Sequence, residues 1–105
     1  MKRILIIEDQ IDDQEMLKGK YDEDNVQIDI AETGIETFYY LSQYTYNTVI
    51  VSNDMCDLDG LWIVQYIINE QQYDELILTS KFNHENLEKV ARKMKFMYLR
   101  KPLEK

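Results

Sequence analysis

Four polar clusters in this chain stand at the ends of short apolar runs, and their residue types could do chemistry together. Glu8 and Asp9 follow residues 4–7. Ser52, Asn53 and Asp54 follow residues 48–51, Thr79 and Ser80 follow residues 76–78, and Lys101 comes just after residues 96–99. Two adjacent carboxylates can hold a hard cation such as Mg2+, which takes oxygen ligands and keeps several waters. Thr79 and Lys101 offer a hydroxyl and an ammonium to an anion. A structural reading competes with each: Lys101 pairs with Glu8 or Asp9 as a salt bridge, and Asp9 or Asp12 caps a following helix. Cys56 has Asp54, Asp57 and Asp59 for neighbours. A reactive thiolate needs nearby positive charge, so an inert thiol is expected there. His84 is the single histidine and is expected to be solvated at a helix start.

The elements that position these residues read clearly. Residues 4–7, 48–51 and 76–78 are continuous β-rich runs, residues 26–30 alternate apolar and polar, and residues 96–99 are apolar throughout. These are five strands. Four helical patterns lie between them, at about residues 12–21, 35–44, 60–69 and 85–94. The first has a weak stripe of Met16, Leu17 and Tyr21, and the second places Phe38 and Leu41 on one face. The third carries Leu61, Ile63, Val64, Ile67 and Ile68, and the fourth has Leu87, Val90, Ala91 and Met94 at helical spacing. Thr33 and Glu36 form a capping box, and Asn83 is placed to cap the last helix. Strands that alternate with helices make parallel βαβ units. Continuous runs want burial on both faces, so strands 1, 3 and 4 are central and strand 2 is an edge. The expected fold is α/β, a flavodoxin-like five-stranded parallel sheet of order 2-1-3-4-5. Its sites lie beyond the C-terminal ends of the strands.

Composition narrows the function classes. A chain of 105 residues fits a single domain, spanning residues 1–105. Twelve basic against 20 acidic residues leave a net charge of −8, and such a surface repels nucleic acid. A single cysteine excludes an intrachain disulfide and fits a reducing, cytoplasmic setting. Residues 4–7 are too short a run for a signal segment or a membrane span. The acidic Glu8-Asp9-Gln10 turn also disfavours a flavodoxin-like cofactor binder, which would place a glycine-rich phosphate loop there.

Five motifs then fall in order. Glu8-Asp9 follows strand 1, Ala31-Glu32-Thr33-Gly34 follows strand 2, and Asp59-Gly60 opens helix 3. Thr79 ends strand 4, and Tyr98-Leu99-Arg100-Lys101-Pro102 closes the series. Together they resemble the receiver domain of two-component response regulators, over nearly the whole chain. The resemblance implies that the acidic pair helps hold Mg2+. It makes Thr79 the switch hydroxyl, Tyr98 the switch aromatic and Lys101 the lysine that contacts the phosphoryl group. The family carries that group on an aspartate at the end of strand 3, usually eight residues before the Asp-Gly glycine, and here that position is Ser52. Sliding Asp54 back to the strand end would bury Ser52 and Asn53 inside the strand, which is costly.

Serine cannot form an acyl phosphate. Its presence also takes one carboxylate from the cation site, leaving Glu8, Asp9 and Asp54 as candidates for a weak or lost Mg2+ site, and no other cofactor is expected. Cys56 stands where the family usually has proline, and Met94-Lys95 replaces its usual Gly-Ala. Only Leu103-Glu104-Lys105 follow Pro102, where a receiver continues into a fifth helix. Strand 5 is apolar on both faces, with Phe96 and Tyr98 one way and Met97 and Leu99 the other. Cover is therefore expected from a second copy, a protein partner, a helix of a longer chain or a shifted helix 1. Tyr39, Tyr40, Tyr44 and Tyr46 either shield a helix end or form a docking surface, and Trp62 is read in the same way. The expected function is non-enzymatic signalling by an atypical receiver, through phosphorylation-independent contact with a protein partner or a second copy near strands 4 and 5. Neither nucleic acid nor membrane is expected to be a partner. The alternatives are phosphotransfer to Asp54 or Asp9, and the N-terminal regulatory domain of a DNA-binding regulator.

Overall fold

The computed structural model describes residues 1–82 and 85–103. The expected positions of Asn83 as a cap and of His84 lie outside the described residues. Among the described residues five strands alternate with four helices: β1 (Lys2–Ile7), α1 (Ile11–Tyr21), β2 (Val26–Ala31), α2 (Gly34–Gln43), β3 (Thr48–Ser52), α3 (Gly60–Glu70), β4 (Glu75–Ser80), α4 (Glu85–Met94) and β5 (Met97–Arg100). All the strand pairs are parallel, and the sheet order is β2-β1-β3-β4-β5, as the strand patterns require.

Side chains alternate across the sheet, so each central strand feeds two cores. Leu5, Ile7, Val49, Val51, Leu76 and Leu78 face one way and pack with Leu41 of α2, Ile63, Val64 and Ile67 of α3, and Ala91 of α4. Ile4, Ile6, Ile50 and Ile77 face the other way and pack with Leu17 of α1 and with Leu103. This two-sided burial explains why β1, β3 and β4 read as unbroken apolar runs. β2 is an edge, and only its Val26, Ile28 and Ile30 meet the second core.

The helix ends follow their local chemistry. Thr33 Oγ1 accepts from Glu36 N–H at 3.1 Å, whereas the Glu36 carboxylate accepts from Glu32 N–H at 2.9 Å. The capping box therefore closes one residue earlier than its usual form. Asp59 Oδ1 accepts from the amides of Leu61 and Trp62, capping α3. Neither Asp9 nor Asp12 caps α1: Gln10 is the capping residue and makes no side-chain cap bond. After α4, Lys95 takes a left-handed φ of 65°, and Phe96 N–H donates to Ala91 O at 3.1 Å. The chain thus makes the turn that a glycine normally makes, with lysine in its place.

Two aromatic expectations change, those for Phe38 and Tyr46. Phe38 does not enter the core: it is 38% exposed and meets Trp62 and Tyr66 edge-on, at ring-centroid distances of 5.9 and 5.6 Å. Trp62 is 51% exposed and stacks on Tyr66. Tyr46, grouped above with surface tyrosines, is a core residue whose hydroxyl donates to Asp29 Oδ2 at 2.7 Å. Burial and then that hydrogen bond raise its phenol pKa. At β5, Phe96 just before the strand and Tyr98 within it face the first core and Leu99 the second, as alternation requires, while Met97 stays 48% exposed. Leu103 folds back onto the second core. No helix among the described residues is long and apolar enough to cross a membrane.

Candidate functional site at the strand ends

Parallel strands end at one edge of the sheet, and the two-residue period decides which side chains meet there. Glu8 continues the parity of Ile4 and Ile6, Ser52 that of Ile50, Thr79 that of Ile77, and Lys101 that of Leu99. All four side chains therefore lie on the α1 side of the sheet, and Ser52 and Thr79 are direct register partners. Each of these residues is buried, Glu8 to 1% exposure.

Lys101 is the hub. Its Nζ lies 2.6 Å from Glu8 Oε1, 3.2 Å from Asp13 Oδ2 and 3.3 Å from Asp54 Oδ2, and it donates to Ser52 Oγ at 3.2 Å. Burial by itself would lower the lysine pKa, but the hydrogen bond and charge of Glu8, with Asp13 behind them, raise it above the usual 10.5. Of the two acids considered as its partner, Glu8 is engaged and Asp9 is not. Asp9 instead accepts from Cys56 N–H at 3.2 Å and from Gln10 Nε2 at 3.3 Å.

Ser52 ends β3, and Asp54 lies beyond it in the turn, as the apolar run predicts. The Asp54 side chain nevertheless turns back to the site. Its amide donates to Ser52 Oγ at 3.1 Å, its Oδ1 accepts from Ser80 Oγ at 3.1 Å, and its Oδ2 accepts from Lys81 N–H at 2.8 Å. Thr79 Oγ1 is buried and has no hydrogen-bond partner among the described residues, so Ser80 rather than Thr79 makes the hydroxyl contact. Tyr98 stands apart from this cluster and donates its hydroxyl to Phe82 O at 2.9 Å, across the β4–α4 loop. Cys56 is exposed in the turn.

Glu8, Asp9 and Asp54, the candidates for a weak or lost Mg2+ site, do not face a common point. Glu8 and Asp54, together with Asp13, converge on the Lys101 ammonium, Asp9 faces a different pair of donors, and no group of three His, Cys, Asp or Glu side chains among the described residues is arranged to hold a metal ion. A dication placed among Glu8 and Asp54 would meet the charge of Lys101.

Sequence reasoning missed Asp13 and the Lys81 amide. Asp13 lies in the first turn of α1, which overhangs the end of β1, so its helical position after Glu8 was the available signal. No sequence signal marks a backbone amide. Gly60 holds the turn in place: a Cβ there would lie 2.6 Å from Ser52 O and 2.8 Å from Asn53 Cα, so only glycine lets α3 start against the end of β3.

A sheet of this order, with acidic, hydroxyl and lysine side chains at its strand ends, is the arrangement of a signal-receiving domain. The profile of the response regulator receiver domain matches residues 4–105, and the chain belongs to that family. Solved structures agree. A two-component response regulator from Clostridium difficile is 25% identical with a TM-score of 0.86, covering 99% of this chain and 86% of that one. The response regulator TrrA from Thermotoga maritima, solved in complex with Mg2+-BeF, is 27% identical with a TM-score of 0.80, covering 99% and 90%. The receiver domain of the Francisella response regulator 1452 is 19% identical with a TM-score of 0.82, covering 99% and 87%. No curated protein sequence matches the chain significantly.

Proposed function

We propose that this receiver domain lacks a phosphoacceptor and signals through phosphorylation-independent contact with a protein partner or a second copy of itself. The observation that carries this reading is Ser52, a buried serine at the end of β3 where the family places its aspartate. The rest of the site supports it. Lys101 is already engaged by Glu8, Asp13 and Asp54, so its position needs no incoming phosphoryl group. Both Asp54 oxygens are already held by donors, so neither is free in this arrangement. An ammonium already stands among the carboxylates, which supports a site that does not depend on Mg2+.

The contact surface of this reading lies near β4 and β5, where Met97 is exposed beside Leu99 and Leu103. A setting in the cytoplasm fits a module of this family. The test is intact mass after incubation with Mg2+ and acetyl phosphate, beside a Ser52→Asp/Asp54→Ala variant that restores an acceptor and frees the donors. The natural chain is expected to stay unmodified while the variant gains a phosphoryl group. A phosphoryl group on the natural chain, mapped to any aspartate, overturns the reading.

A further inference from the structure

Three donors from two separate segments converge on one carboxylate. The Ser80 hydroxyl and the Lys81 amide come from the end of β4, and the Lys101 ammonium follows β5. Hydroxyl, amide and ammonium donors converging on one point are the chemistry of an oxyanion seat. We propose that Asp54 is a built-in anion: its carboxylate fills an oxyanion seat made by Ser80, Lys81 and Lys101, and so fastens the β3–α3 turn to the β4–α4 loop without an external ligand.

The backbone favours this placement. Asp54 N–H bonds to Ser52 Oγ, which bends the chain just after the strand so that the carboxylate can reach back. Asn53 N–H donates to Thr79 O at 2.8 Å, and Lys101 N–H donates to Ser80 O at 2.7 Å, so β3 and the segment after β5 are each tied to the end of β4. Ser80 Oγ also accepts from Phe82 N–H, and Phe82 O accepts from Tyr98, so the loop held by Asp54 is tied on to Tyr98 of β5.

The unpartnered hydroxyl is the second, independent observation. Thr79 is fully buried on the same sheet face as Ser52 and Lys101, and its Oγ1 has no partner among the described residues. A buried hydroxyl left unbonded is costly. A carboxylate brings two oxygens, and both are taken by other donors. A tetrahedral oxyanion brings more, and with Asp54 removed it would meet the Ser80, Lys81 and Lys101 donors, with the unpartnered Thr79 hydroxyl on the sheet face of Ser52 and Lys101. A cleft lined by Gln10, Asp12, Asp13, Lys81, Lys101 and Pro102 opens beside the seat and gives solvent access to it.

This inference deepens the reading above by naming what occupies the phosphoryl position, and the two fail separately. A phosphoryl group on Asp9 would overturn the earlier reading and leave the Asp54 seat intact. The test is titration with inorganic phosphate at constant ionic strength, following the Ser80 and Lys81 amides by NMR in the natural chain and in Asp54→Ala. The variant is expected to respond saturably, with an affinity at least about tenfold above that of the natural chain. A folded variant that responds no more than the natural chain overturns the proposal. Amide hydrogen exchange of the natural chain decides the matter if the variant does not fold. The Lys81 amide is then expected to exchange on the order of 100-fold slower than in an unstructured peptide, although Lys81 itself is an exposed loop residue. Exchange at the unprotected rate overturns the proposal.

Discussion

Glu8 and Lys101 form an ion pair with almost no contact with water, their side chains 1% and 4% exposed. Such a pair contributes little over a well-packed apolar pair, but breaking it strands a buried charge. Lys101→Met is therefore expected to cost about 3–5 kcal/mol in urea unfolding at neutral pH, while Glu8→Gln/Lys101→Met recovers much of the loss. The pH dependence follows from the raised lysine pKa. A base whose pKa is higher in the folded state than in the unfolded chain adds stability in full below the unfolded value, and loses it as pH rises through the folded value. The gap between the natural chain and Lys101→Met should stay flat to about pH 10 and shrink only above 10.5. A gap that closes near neutral pH would show that the ammonium is not held by the acids.

The start of α3 determines where the end of β3 can lie. Asp59 caps the helix, and Gly60 allows its first turn to touch the Ser52 and Asn53 backbone. An alanine at position 60 gains helix propensity, but its Cβ meets backbone rather than a flexible side chain. Gly60→Ala is expected to destabilise by about 1–3 kcal/mol, the usual cost of overpacking, and to shift the Ser52 and Asp54 amide resonances. A neutral or stabilising result would mean that the β3–α3 turn gives way easily, and the site would then owe little to this contact. The end of α4 shows the opposite accommodation: Lys95 accepts a left-handed conformation because the Phe96 amide to Ala91 carbonyl bond closes the helix there.

The net charge of −8 acts over the whole molecule. Mutual repulsion of surface carboxylates opposes compaction, and salt screens exposed charges far more than the buried Lys101 cluster. Raising NaCl from about 10 mM to about 150 mM should therefore raise Tm by about 2–4 °C. A fall in Tm would mean that exposed ion pairs such as Arg3–Asp29 outweigh the repulsion. At this scale the molecule has two unlike sides. Three helices cover one face of the sheet; on the other, α1 and the returning Leu103 cover the second core among the described residues.

Strand order, helix count and the identity of the strand-end residues were legible in the chain. Two-sided burial writes continuous apolar runs for β1, β3 and β4, half burial writes the alternation of β2, and each run stops where the backbone leaves the core. Once the strand bounds are fixed, the same period of two puts Glu8, Ser52, Thr79 and Lys101 on one face. Periodicity says nothing about a turn, and the decisive contacts lie in turns. Whether Asp54 points to solvent or back to Ser80 and Lys81 depends on the backbone path over residues 53–59, which no repeat governs. The choice of Glu8 over Asp9 for Lys101, the reach of Asp13 from α1 and the burial of Tyr46 likewise depend on which donors and acceptors the folded chain brings within about 3 Å of each other. The chain determined which groups stand at the strand ends; only the tertiary structure decided which of them are already bonded to one another, because that pairing is settled by competition among neighbours that are distant in sequence.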